Sequence, residues 1–387
     1  MMDNFDVIVV GAGILGLSTA YYAQKAGAKV LVLDAGATGY EASSRATGYL
    51  SLRGETPAES PLAQEAEKLW NSLDDELGYP TEWTQKGRIW AAFNERELDE
   101  LKQLYGTFRK TDVPFEFLDG DALRKMVPCL SETCLGGIWT SRSGHANPQR
   151  TTQAFGWAFR DLGGEVREYT PVLELLAEGG KMKGVRTPHG DLYCDKIALC
   201  AAAHNTLLLK PLGLNFPLAP VRLEALVTTP MPPLFEQAFI GNGLSIRQTK
   251  RGNLHMNGGP YEWVDLEIGK EAAKPNTQIV RNILRRAIET MPVLKGAQFL
   301  RSWAGIIDLA PDQMTTVHAF DNPEGLVTAA CSGHGFGMAP AVGIAVAELL
   351  LKGETRMPID QLSLDRFKNI SPEWRERRNW QAGQYNT

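Results

Sequence analysis

Apolar residues first gather at 5–10, a short run broken only by Asp6 and ended by glycine, which reads as a buried strand. Small and apolar residues then continue at helical spacing to about Ala26, and Gly27 stands where a helix terminator belongs. A second apolar run at 29–33 ends at Asp34, so the pattern predicts one strand–helix–strand unit. Residues 36–60 are rich in Gly, Ser, Thr and Ala and lose periodicity, which predicts a long functional loop. Helical spacing returns over 62–77, 95–109 and 148–162, with a strand at 88–93 between them. Short alternating runs at 165–169, 172–177, 184–187 and 191–194, separated by glycine turns, predict a meander closed by an apolar strand at 196–202. Strands at 224–229, 244–248, 254–257 and 299–307 around a helix at 277–290 predict an antiparallel sheet with a helix on it. The chain then returns to a strand at 326–330, a glycine loop and an apolar helix at 341–351. The fold class is therefore α/β: a Rossmann-like domain plus a second domain on a mixed, largely antiparallel sheet.

Composition narrows the function without naming it. The 387 residues, 43% of them hydrophobic, are enough for two or three domains with a large core. Lys and Arg total 40 against 45 Asp and Glu, and no basic run is interleaved with aromatics, so no nucleic-acid partner is expected. The five cysteines form no CxxC pair, which fits reduced thiols in a cytoplasmic protein. The strand at 5–10 starts too early to leave room for a signal peptide. The apolar stretch 7–23 is interrupted by Gly11, Gly13 and Gly16, so no transmembrane segment is expected.

The sequence GAGILG at 11–16 follows a strand and opens a helix, the context in which G-x-G-x-x-G is informative. Gly11 permits the tight turn, Gly13 lets the backbone approach a pyrophosphate, and Gly16 lets helix and strand pack closely. Asp34 is placed to accept hydrogen bonds from ribose hydroxyls. NAD and FAD share this fingerprint, so two further segments must choose. One is EASSRATGYLSLRG at 41–54, where Arg45 and Arg53 are cations in an otherwise small-residue stretch. The other is CSGHGFGMAP at 331–340, where glycines bare the backbone, Pro340 suits a first helical turn, and a second helix dipole is aimed at the loop. A reduced flavin carries negative charge that such a helix start stabilises, so anion-friendly loops at both chain ends suit FAD.

These segments, with ALCAAAHNTLL at 198–208, RLEALVTTP at 222–230 and SWAGIIDLAPD at 302–312, make the chain recognisable. It resembles the flavin-dependent amine and amino-acid oxidoreductases of the D-amino-acid-oxidase superfamily, most closely the β subunits of heteromeric sarcosine oxidases. The resemblance implies non-covalent FAD and hydride removal from the carbon beside an amine nitrogen. By position, Gly11, Gly13, Gly16 and Asp34 would hold the adenosine-diphosphate half, with Val172 bracketing the adenine by its backbone. Ser44, Arg45, Gly305, Gly333, Gly335, Phe336, Gly337 and Met338 would line the flavin. It also implies an FAD domain from 1–85, 145–215 and 318–387, and a substrate domain from 86–144 and 216–317.

Departures from the relatives sharpen the expectation. Trp303 and the distant Cys331 leave no cysteine where monomeric relatives attach flavin. An oxygen-promoting lysine of those relatives aligns with His255. The carboxylate-clamping arginine of glycine and D-amino-acid oxidases aligns with Ile307, followed by Asp308, and a loop lysine with Gly337. Gln149 or a neighbour replaces a histidine that anchors a second flavin, FMN. These changes point to a dehydrogenase working with partner subunits on a small amine or amino acid of the sarcosine, proline, hydroxyproline or opine type. The alternatives are an independent oxidase releasing hydrogen peroxide and a non-catalytic assembly or electron-relay subunit. Hydride transfer requires the neutral amine, so Arg53 and Arg45 are the expected catalytic cations and carboxylate contacts, and His255 the proton acceptor or polar lid.

Overall fold

The computed structural model describes residues 5–52, 56–268, 274–371 and 373–375. Its first strand, Val7–Val10, is buried on both faces, as an interior strand of a parallel sheet must be. Val7 and Val9 point into one apolar cluster with the helices, while Ile8 and Val10 point into another with Leu175, Met182 and Val185 of the meander. The strand lies between Val30–Leu33 and Ile197–Leu199 in a six-stranded sheet. Glu165–Arg167 flanks one side, and Leu326–Ala330 and then Thr316–Ala319 the other. All neighbours are parallel except Thr316–Ala319, which pairs antiparallel with Leu326–Ala330. Because that strand begins at Thr316, a domain boundary at 317/318 would cut it.

Helices Ile14–Lys25, Pro148–Asp161 and Gly335–Lys352 cover one side of this sheet. The last is long and apolar enough to cross a membrane, yet it is mostly buried as a core helix. It begins at Gly335 rather than near 341, so Pro340 stands inside it and not in its first turn, a correction to the sequence reading. The glycines mask this start because they lower helix propensity. The region 36–60 is likewise not all loop. It contains a helical turn at Ala42–Arg45 and a short strand, Tyr49–Leu50, paired with Gly144–His145.

The second sheet has eight strands, in the order Phe299–Leu309, Ala219–Thr228, Leu254–Trp263, Leu244–Gln248, Ala238–Gly241, Arg88–Ala92, Gly136–Thr140 and Glu116–Asp119. Every pairing is antiparallel except Ala238–Gly241 with Arg88–Ala92. Side chains alternate between its faces. Ile89, Leu226, Phe239, Ile246 and Met256 share one face and pack on Ile279, Ile283 and Ala287 of helix Thr277–Thr290. The opposite face carries a polar row. His255 is registered against Arg247, and Ala238, two strands from His255, is registered against Arg88.

Candidate active site

At the first loop, Gly11 takes φ +106°, and a Cβ there would sit 2.6 Å from the Cys200 carbonyl oxygen. A Cβ on Gly16 would lie 1.8 Å from the Gly11 carbonyl oxygen, so only glycine permits this crossing of helix and loop. Gly13 is the N-cap of helix Ile14–Lys25 and has no capping side-chain bond of its own. Asp34 stabilises the loop from the next strand: its two carboxylate oxygens accept the Ala12 and Gly36 N–H groups at 2.6 and 2.7 Å. Burial raises its pKa against those two bonds, which favour the charged form. The Thr170 N–H donates to the Asp34 carbonyl at 2.7 Å, which brings the segment leading to buried Val172 alongside. A glycine cradle, a helix start and a carboxylate on the second strand fit the adenosine-diphosphate half of a dinucleotide.

The turn Ala42–Arg45 sits across this helix start. Ser43 Oγ accepts the Ile14 N–H at 2.9 Å, a contact the sequence reading missed by choosing its neighbour. Ser44 instead closes its own turn by donating to the Gly39 carbonyl. Arg45 reaches the other sheet: Nη1 donates to the Ala304 carbonyl at 2.7 Å and Nε to the Tyr40 carbonyl at 3.1 Å. Trp303 Nε1 returns a bond to the Arg45 carbonyl at 3.1 Å. A Cβ on Gly305 would touch Arg45 Cβ at 3.3 Å, which is why the strand is bare there. Arg45 thus joins the two sheets through backbone carbonyls. Arg53 lies outside the described residues.

The C-terminal loop is built by the same means. Gly333 has φ +78° and would meet Ile307 Cδ1 at 3.1 Å, and a Cβ on Gly337 would strike Leu50 Cα and the Tyr49 carbonyl oxygen at 2.7 Å. Gly335 backs onto Cys331. The side chains of Phe336 and Met338 are in the apolar core, Phe336 against Trp70, so only their backbones are available to a cofactor. The N–H groups of the first turn of Gly335–Lys352 have no acceptors within the helix, which fits an anionic ring edge. His334 caps this start, and its Nε2 lies 2.7 Å from Glu59, whose carboxylate also accepts the Thr315 N–H at 2.7 Å. Asp308 accepts the Cys331 N–H at 3.0 Å, so it buttresses the loop. Glu59 escaped the sequence reading because it stands alone in a polar stretch.

The polar row of the large sheet lies beneath the 47–50 segment, which also meets the C-terminal loop at Gly337. Tyr49 passes its hydroxyl to the Phe239 and Ile246 carbonyls at 3.0 and 2.6 Å, and Arg247 Nε donates to the Thr47 carbonyl, so the 47–50 segment covers the row. Arg88 stacks on Trp90 at 4.5 Å. The His255 ring lies 5.2 Å from that of Trp303, and burial, then the Arg247 charge, hold its pKa well below the usual value. His145, beside the same strands, is pushed down to about 4 by burial and then by Arg247. The site therefore holds cations and neutral histidines. Farther along the same strand Tyr261 is exposed, and Trp263 stacks with Arg375 at 4.3 Å.

An α/β fold on two large sheets, with a dinucleotide cradle at one chain end and a glycine helix start at the other, defines a flavin-binding class of enzyme. The model of the DAO family, FAD dependent oxidoreductase, matches residues 6–349. The chain belongs to this family, and FAD is its cofactor. It is 27% identical over 374 residues to a sarcosine oxidase subunit beta of Rhodobacter capsulatus, covering 94% of this chain and 89% of that one. It is also 27% identical over 378 residues to a glycine oxidase of Geobacillus kaustophilus, covering 95% and 98%. Among solved structures, L-proline dehydrogenase from P. horikoshii superposes with TM-score 0.84 at 25% identity, covering 95% of this chain and 98% of that one.

Proposed function

We propose that the chain catalyses FAD-dependent dehydrogenation of the CH–NH bond of a secondary amine or amino acid, giving an imine. The substrate class is that of sarcosine, proline, hydroxyproline or an opine, and the chain acts as the β-type subunit of a heteromeric dehydrogenase in the cytoplasm. One observation carries the chemistry: the buried face beneath the 47–50 segment sets Arg247 directly opposite His255 in the ladder, with Arg88 two strands beyond Arg247 in the same row. FAD, when bound, supplies the hydride acceptor. A positive, water-poor surface favours the neutral amine, the only form whose lone pair can stabilise the developing C=N bond. His255, held neutral, can hold a proton at one ring nitrogen and accept at the other. Arg45 keeps the 42–45 turn on strand Phe299–Leu309, which fixes the loop over that face. Arg53 stays a proposed carboxylate contact.

Cys331 is buried, and burial followed by the Asp308 charge raises its thiol well above the usual range, so no thiolate is available for flavin attachment. This supports non-covalent FAD. Purified protein should be yellow and should release its flavin on acid precipitation. Anaerobic addition of sarcosine, proline, hydroxyproline, D-amino acids and opines in turn should bleach the flavin band with at least one of them. A folded protein whose flavin none of these reduces overturns the reading. Oxygen uptake without a partner would instead favour an independent oxidase.

A further inference from the structure

We propose that Arg247, with His255 beside it on the neighbouring strand, forms a buried binding site for a small monovalent anion of the carboxylate class. Both residues are 5% exposed. Arg247 Nε donates to the Thr47 carbonyl, and the guanidinium makes no ion pair or other hydrogen bond to a described residue. A guanidinium stays charged in proteins and brings five N–H donors in a fixed fork that matches a carboxylate. Burying such a charge without a counter-ion is strongly unfavourable, so its retention calls for an anion.

The second observation is independent. Both ring nitrogens of His255 are buried with no hydrogen-bond partner, although its strand neighbour Arg247 is directly opposite in the ladder. An unmet donor and an unmet acceptor beside an unmatched cation describe a polar cradle rather than a packed core. The neighbouring side chains on the same face keep the cradle positive. Ala238, registered between Arg247 and Arg88, is too small to close the row, and Arg88 adds a second cation. His145 stays neutral, and Glu82, the carboxylate whose charge acts on Arg247, is paired with Arg150 at 3.0 Å.

The ligand chemistry has two sources: the carboxylate of the amine substrate, or a free small anion. The first rests on the proposed amine chemistry; the second does not. The test titrates FAD-loaded wild-type, Arg247→Gln and Arg247→Lys proteins with acetate and with chloride at constant ionic strength, read by thermal midpoint and flavin absorbance. Wild type should bind acetate, Arg247→Gln should bind it at least tenfold more weakly, and Arg247→Lys should fall between them. Flavin content and the anion-free midpoint report whether each variant folds, and the lysine variant serves if the glutamine variant does not. If acetate competes with the reducing amine, and Arg247→Gln raises KM for the free acid but not for its methyl ester, the anion is the substrate carboxylate. If chloride and acetate bind equally without competing, it is a free anion. Equal titrations in wild type and both variants overturn the site. Arg247-dependent anion binding in a protein that no amine reduces would leave the site standing while the amine reading falls.

Discussion

His145 shows what burial does to a single titrating residue here. Its Nε2 lies 3.0 Å from the Glu236 carbonyl, which only a ring N–H can satisfy, and its Nδ1 is buried without a partner. Its folded pKa near 4 lies below the value of about 6.5 expected for an unfolded chain. The unfolded state therefore takes up the proton first, so stability is full above about pH 6.5 and is lost as pH falls toward 4. The gap amounts to roughly 3 kcal/mol when complete and roughly 2 kcal/mol at pH 5. His145→Asn removes that linkage. Denaturant midpoints of wild type should fall more steeply between pH 7 and pH 5 than those of the variant. Parallel curves would show that His145 is not buried neutral. Neither this residue nor Arg247 was legible in the chain. In LSIRQ the polar positions alternate with apolar ones, which reads as a solvated sheet face. That face is interior because the 47–50 segment, far off in sequence, lies across it.

Elements were legible where periodicity was long or glycine had one steric job. The helix at 277–290 and the strand at 326–330 have the predicted limits, since the helix presents one clear apolar face and the strand is an apolar run buried on both faces. Strands Glu116–Asp119 and Gly136–Thr140 were missed because glycines and a half-exposed edge blur their alternation. The pairing of the first and last long helices was not visible either. Helices Ile14–Lys25 and Gly335–Lys352 cross where a Cβ on Gly343 would lie 2.1 Å from Ser18 Oγ and 2.8 Å from Ser18 Cβ. Ser18 Oγ also donates to the Ala339 carbonyl at 2.8 Å. Gly343→Leu should force the helices apart and destabilise the fold by about 3 kcal/mol, seen as a drop in thermal midpoint. Gly16→Ala meets backbone rather than a movable side chain, so it should both lower the midpoint and reduce bound FAD. A Gly16→Ala protein with full flavin content and an unchanged midpoint would remove the steric argument.

At the scale of the molecule, the cofactor fold is gathered from distant parts of the chain. Its sheet takes strands from 7–10, 30–33, 165–167, 197–199 and 316–330, while the 42–45 turn ties it to the second sheet. The groups proposed to hold FAD, Asp34, the Gly13 cap and the Gly335 helix start, lie on elements that are held in place only when the fold is complete. FAD should therefore bind the native state and not the unfolded chain, and linkage fixes how much that stabilises. At a free FAD concentration 100 times Kd the gain is about 2.7 kcal/mol, and each further tenfold adds about 1.4 kcal/mol. Thermal unfolding of the protein across a hundredfold range of FAD above Kd should show the midpoint rising by a few degrees without a plateau. A midpoint that levels off once the site is filled would mean that the unfolded chain also holds FAD. A midpoint insensitive to FAD throughout would mean that the glycine cradle and the helix start do not hold it.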